Sequence, residues 1–131
     1  MIRIMLVDDN VEVAQIFAET LIEAGFEVDV FTNGLAALNS CVSIRYAMVI
    51  ADVNMPDIDG LTLLNMIRAQ RPAMPYIFLS GRGAPNNTNI IQNADAFVLK
   101  GGGTKELISK VIEVLALKGA DAGTSQSSAK I

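Results

Sequence analysis

The chain contains no histidine. Imidazole is thereby excluded as a general base, a metal ligand and a phosphoryl carrier, so chemistry of that kind needs carboxylates, hydroxyls and amines, or a second protein. Cysteine occurs once, at Cys41, which excludes an intramolecular disulfide. Cys41 falls on an apolar helix stripe and reads as a small buried hydrophobe. No stretch approaches the ~18 uninterrupted apolar residues of a membrane span. The longest apolar runs are IMLV, AMVIA, YIFL and AFVL. Strand-like residues lead straight into Asp8 and Asp9, a pattern unlike a signal peptide. A cytoplasmic protein without membrane insertion is expected. Basic residues form no run longer than a pair, and the net charge is −4, which disfavours direct nucleic-acid binding.

What is present is apolar. Of 131 residues, 51% are hydrophobic and only 18% charged, with a mean hydropathy of +0.40. The length suits one domain with one core. Short continuous apolar runs are the mark of strands buried on both faces, so a parallel sheet covered by helices explains the hydropathy. Strands are predicted near 2–7, 26–31, 46–51, 75–79 and 95–99. Helices are predicted near 10–24, 34–44, 60–70, 86–93 and 104–118. Fivefold strand–helix alternation defines an α/β, doubly wound sheet with helices on both faces.

The first helix sets Val13, Ile16, Phe17, Leu21 and Ala24 on one face and Glu12, Gln15, Glu19 and Glu23 on the other. Asp9 or Asn10 can cap its start and Gly25 its end. The last helix is expected to bury Leu107, Ile108, Val111, Ile112 and Leu115, with Val114 and Leu117 widening that face. The segment 81–94, GRGAPNNTNIIQNA, carries four asparagines and few apolar residues. Asparagine competes for backbone hydrogen bonds, so the fourth helix is expected to be short or mobile. Residues 119–131 are small and polar without a core face and are read as a disordered tail, which leaves 1–118 as the domain.

The polar residues gather at strand ends. Asp8 and Asp9 follow the first strand, Asp52 closes the third, Ser80 the fourth and Lys100 the fifth. In a doubly wound sheet all these ends share the edge where ligands bind. Three carboxylates cannot all stay ionised side by side without a counter-charge. With oxygen ligands only, the metal expected is hard, Mg²⁺ or Mn²⁺. Metal and ammonium together suit phosphoryl transfer to a carboxylate. Two other readings fail. The loop 52–60 holds four acidic or amide side chains, but Pro56 at its fifth position breaks EF-hand spacing. GGGTK at 101–105 lacks the glycine directly before Lys-Ser/Thr that a P-loop needs.

VDDN at 7–10, ADVNMPDIDG at 51–60, LSG at 79–81 and FVLK at 97–100 resemble the receiver domain of two-component response regulators. EAGFEV before the second strand and TNGLAAL opening the second helix support the likeness, which spans about residues 2–118. The resemblance implies the flavodoxin-like strand order 2-1-3-4-5 of chemotaxis receivers. It implies Asp52 as the phosphoacceptor. Asp9 would ligate the metal directly, Asp8 would bind it through water or orient Lys100, and Asn54 would offer its backbone carbonyl. Ser80 resembles the switch hydroxyl, Phe97 the switch aromatic, and Lys100 the lysine that holds the phosphoryl group. The implied donor is a histidine kinase or phosphotransfer protein, and the output passes by protein–protein contact to a downstream protein or output domain. Such a chain is no enzyme beyond its own phosphorylation and dephosphorylation.

The chain departs from that pattern after the fourth and fifth strands. Gly81 stands where the family has a small alanine-like residue, and Gly101 where it usually has proline. The GGG run is permissive, so a looser loop around Lys100 is expected. PYIFLSGRG is faintly similar to a receiver subgroup with Phe-Ala-Thr-Gly here and a reduced fourth helix. The alternatives are a receiver-fold binding module independent of phosphorylation and a flavodoxin-like cofactor binder. Against the latter, no phosphate-cradling glycine motif follows the first strand, where Asp8 and Asp9 would repel phosphate.

Overall fold

The computed structural model describes residues 1–81 and 92–130, with side chains described as far as Lys118. Five parallel strands form one sheet, β1 (Arg3–Val7), β2 (Glu27–Phe31), β3 (Met48–Asp52), β4 (Tyr76–Ser80) and β5 (Ala96–Leu99). Their order is β2-β1-β3-β4-β5, as expected. The helices are α1 (Val11–Glu23), α2 (Gly34–Ser43), α3 (Gly60–Gln70) and α4 (Thr104–Lys130), the last preceded by a 3₁₀ turn at Lys100–Gly102. The crossover helix expected near 86–93 falls largely on 82–91, outside the described residues.

Successive strand residues point to opposite faces, and each face meets two helices among the described residues. Met5, Val7, Val49, Ala51, Tyr76 and Phe78 pack with Ala37 and Cys41 of α2 and Leu63, Leu64 and Ile67 of α3. Ile4, Leu6, Met48, Ile50, Ile77 and Leu79 pack with Phe17, Ala18 and Leu21 of α1 and Leu107, Val111 and Val114 of α4. The central strands β3 and β4 are buried at every position, which is why they read as unbroken apolar runs.

Asn10 caps α1, its side chain accepting from the Val13 N–H at 3.2 Å. Gly25 ends the helix with φ +102°, a left-handed conformation that glycine adopts without strain. Two helix faces differ from the sequence pattern. In α1 the core residues are Ala14, Phe17, Ala18 and Leu21, while Ile16 is 56% exposed. Alanine at 14 and 18 lets the helix lie close to the sheet, and a pattern weighted by large side chains is rotated away from that contact. In α4, Ile112 and Leu117 are exposed and Val114 takes a core place. The α4 backbone is helical to Lys130, past residue 118, where the sequence predicts an irregular tail. No proline follows Thr104 to interrupt it.

The β2 edge is fastened by charge. Arg3 makes a two-pronged contact with Asp29, Nε to Oδ2 at 2.9 Å and Nη2 to Oδ1 at 2.9 Å. The Tyr46 hydroxyl donates to Asp29 Oδ2 at 2.7 Å and lies 2.8 Å from Ser40 Oγ. The hydrogen bond from Arg3 holds the Asp29 carboxyl below its ordinary value. Burial pushes Tyr46 up to about 12. A depressed carboxyl contributes stability above its unfolded pKa of about 4 and loses it as pH falls through the folded value. Asp29→Asn is therefore expected to lower the melting temperature at neutral pH, with the gap to the parent closing below about pH 4. Thermal melts followed by circular dichroism check this, and a gap independent of pH would overturn the ion-pair account.

Candidate functional site

Parallel strands deliver their carboxyl ends to one edge, and the register decides which residues meet there. Val7 pairs with Ala51, so Asp8 and Asp52 are the next residues on adjacent strands. Asp52 pairs with Leu79 and Ser80 with Leu99, which brings Ser80 and then Lys100 to the same edge. One carboxylate oxygen each of Asp8, Asp9 and Asp52 lie within 4.8 Å of one another. Asp8 is fully buried, Asp52 and Ser80 are buried, and Asp9 is exposed.

Lys100 joins the two buried carboxylates. Its Nζ donates to Asp52 Oδ2 at 2.8 Å and lies 2.9 Å from Asp8 Oδ2. The Asp8 Oδ2 that Nζ meets is buried, and the ammonium is the cation set against it. Asp8 Oδ1 accepts from the Asn10 N–H at 2.9 Å. Asp52 Oδ1 has a long contact, 3.4 Å, from the Asn54 N–H. Burial raises the Asp52 pKa above its ordinary value, Lys100 pulls it down, and the Asp8 charge adds to the rise. For Lys100, burial alone would lower the pKa, but the two carboxylates outweigh it and the net shift is upward. Lys100 is thus a firmly held ammonium. The GGG run expected to loosen it forms the 3₁₀ turn, and Gly103 carries the φ of +86° that leads into α4.

Three carboxylates facing one ammonium leave excess negative charge in a partly buried site. Continued ionisation calls for a further cation. The donor set fits a hard divalent ion: all oxygen, close together, and three carboxylates against a single ammonium. Mg²⁺ or Mn²⁺ suits it. Asn54 is exposed two residues beyond Asp52. Phe97 is partly buried against the cluster that holds Tyr76 and Phe78 and pairs in register with Phe78.

Two residues of the loop 53–59 and its exit escape a reading based on strand ends. Gly60 has no room for a side chain, since a Cβ there would lie 2.2 Å from the Asp52 carbonyl oxygen and 2.9 Å from the Phe78 ring. Asp57 accepts from the Gly34 and Leu35 N–H groups at 3.3 and 3.1 Å. Backbone hydrogen bonds, that of Ile58 foremost, hold its carboxyl below the ordinary value. The signals were a glycine entering α3 and an acid in a loop facing the Asn-Gly start of α2, neither distinctive alone. Asp59 caps α3, accepting from the Thr62 N–H at 2.7 Å.

An open parallel sheet in this order, with a carboxylate cluster and a lysine at its carboxyl edge, defines a chemotaxis-type receiver fold. A family model described as the response regulator receiver domain matches residues 4–112, and the chain belongs to that family. It is 34% identical to the response regulator protein TrrA from Thermotoga maritima, solved in complex with Mg²⁺-BeF (TM-score 0.82, covering 88% of this chain and 100% of that one). The Vibrio cholerae chemotaxis protein CheY4 is 27% identical (TM-score 0.82, 88% and 99%). Among curated proteins, the transcriptional regulatory protein PrrA of Mycobacterium tuberculosis is 30% identical over 125 residues, 94% of this chain and 54% of that protein. The transcriptional regulatory protein TctD of Salmonella typhimurium is 37% identical over 82 residues, 63% of this chain and 37% of that protein. The chain spans about half the length, or less, of these curated relatives.

Gly60→Ala is expected to displace the Asp52 backbone and cost about 1–3 kcal/mol of stability. Urea denaturation measures this, and a variant as stable as the parent would show that the strand end yields freely.

Proposed function

We propose that this receiver accepts a phosphoryl group on Asp52 from a histidine kinase or phosphotransfer protein and signals by contact with a downstream protein or output domain. The observation that carries the reading is the Lys100 ammonium set between the buried Asp52 and Asp8 carboxylates, with the Asp9 carboxylate beside them. In the transfer an Asp52 carboxylate oxygen attacks phosphorus, the P–N bond to the donor imidazole breaks, and the imidazole keeps a proton. Asp8, Asp9, Asp52 and the Asn54 carbonyl would hold Mg²⁺ or Mn²⁺. When bound, the ion offsets negative charge on the phosphoryl oxygens.

Lys100 lies within hydrogen-bond reach of the attacking carboxylate, so the same ammonium serves the phosphoryl oxygens once the P–O bond forms. Ser80, at the end of β4, supplies the hydroxyl that turns toward the phosphoryl group, and Phe97 on β5 responds to that movement. The output surface is the 80–118 face. The receiver domain comprises residues 1–118, and 119–131 are a tail outside it. Beyond its own phosphorylation and dephosphorylation the protein is not an enzyme, and it works in the cytoplasm. No helix among the described residues is long and apolar enough to cross a membrane.

Incubation with Mg²⁺ and a small-molecule phosphodonor is expected to place an acyl phosphate, cleaved by hydroxylamine, on Asp52. Asp52→Asn and metal chelation should each abolish it, as intact-mass spectrometry would show. Labelling of Asp52→Asn equal to the parent would sink the proposal. Partner binding that ignores phosphodonor and Mg²⁺ would instead indicate a phosphorylation-independent binding module. Lys100→Ala separates the two cations. Without its ammonium the carboxylates attract Mg²⁺ more strongly, so calorimetry should show tighter binding while labelling slows by about 100-fold.

A further inference from the structure

We propose that Asp57 is a positioning residue for the metal site, tethering the loop that carries Asn54 to the N-terminus of α2. The inference rests on the metal reading above and concerns a residue that touches none of the reacting atoms.

The loop 53–59 is closed at its base. The Val53 N–H donates to Leu79 O at 3.1 Å, and the Gly60 N–H donates to Val53 O at 2.9 Å. Met55 is buried and Ile58 packs partly into the same core. The far side of the loop has one polar attachment among the described residues, the Asp57 carboxylate. It takes the Gly34 N–H with Oδ1 and the Leu35 N–H with Oδ2. Asn33 takes the Ala36 N–H at 2.9 Å. Helix α2 begins with N–H groups that have no intrahelical partner, so Asp57 and Asn33 together satisfy its first turn. The positive end of the helix favours the carboxylate there. Gly34 also lies against Ile58, close enough that a Cβ would stand 3.0 Å from the Ile58 Cβ.

This tether has a rigid far end. Ala37 and Cys41 fix α2 in the core. Pro56 precedes Asp57, and its locked φ stiffens the connection back toward Asn54. Magnesium demands near-ideal octahedral geometry, so a carbonyl ligand on a wandering loop binds weakly. A base closed at Val53 and Gly60 restrains the loop ends, and Asp57 restrains its middle.

Two effects of Asp57 must be separated, because its negative charge alone draws Mg²⁺ to the region. Asp57→Ala and Asp57→Asn remove the same charge, but asparagine keeps an acceptor oxygen for α2. Isothermal titration of the full chain with MgCl₂ is expected to show about 10-fold weaker binding for Asp57→Ala and a smaller loss for Asp57→Asn. In Asp57→Ala, labelling by phosphodonor should return to the parent rate at saturating Mg²⁺. Equal losses in the two variants would reduce Asp57 to a through-space charge and overturn the proposal. So would parent-like Mg²⁺ binding by Asp57→Ala, or a lower melting temperature with Mg²⁺ affinity unchanged. Asp8→Asn serves as the control. If it binds Mg²⁺ as the parent does, the metal reading itself fails, whereas its loss of binding beside an unaffected Asp57→Ala refutes only the tether.

Discussion

The structure turns on one ammonium held between two carboxylates at the ends of buried strands. Removing a carboxylate from water costs several kcal/mol even after relaxation, and Asp8 is fully buried. Lys100 offsets part of that cost for Asp8 and Asp52 together. The rest of the fold supplies the geometry. Lys100 reaches both acids because β5 lies beside β4, β4 beside β3, and β3 beside β1. A different strand order would leave the same residues apart. The excess negative charge that remains is what a bound cation would offset.

Charge is managed differently at the opposite end of the strands. Arg68 donates to Met74 O from two nitrogens, to Asn93 O and to Asp95. Asp95 also accepts from the Tyr76 N–H at 2.8 Å and pairs with Lys118. There the acid faces two cations and a backbone donor, so the network closes on itself and ties α3, β4 and α4 together. At the carboxyl edge the balance is reversed, with three acids to one base. The first arrangement serves structure, and the second leaves unspent attraction for a ligand.

Much of this was legible in the sequence because the two dominant signals are local. A strand buried on both faces must be apolar throughout, so MVIA and YIFL announced β3 and β4. A charged residue directly after such a run must sit at the strand's end, which located Asp8, Asp52 and Lys100. What escaped depends on contacts between segments remote in sequence. Alanines 14 and 18 face the core because the sheet is near, which helix periodicity weighted by bulk cannot register. Ile16 and Ile112 have the chemistry of core residues but lie outside the faces that the sheet covers. The role proposed for Asp57 is set by where α2 begins, 23 residues earlier. That of Gly60 is set by the Asp52 carbonyl and the Phe78 ring. In each case the residue type was unremarkable and the partner decided its meaning.

Three consecutive glycines follow Lys100. Glycine leaves the backbone free at 101 and 102, while Gly103 takes the left-handed φ of +86° that calls for it. The Lys100 side chain is fixed by two contacts of 2.8 and 2.9 Å, to Asp52 at the end of β3 and to Asp8 just after β1. The restraint on this lysine is therefore electrostatic and lies at its tip, not at its Cα. A backbone restraint would persist whatever the acids carried. A charge restraint changes with them: a phosphoryl group on Asp52 would redistribute the negative charge that Lys100 follows, and the glycine-rich turn can accommodate a new position of the ammonium at low cost. The permissive backbone and the firmly held side chain are thus consistent features of one device. With Asp52 phosphorylated as proposed, the glycine run would let the lysine follow charge at the site without straining the strand behind it.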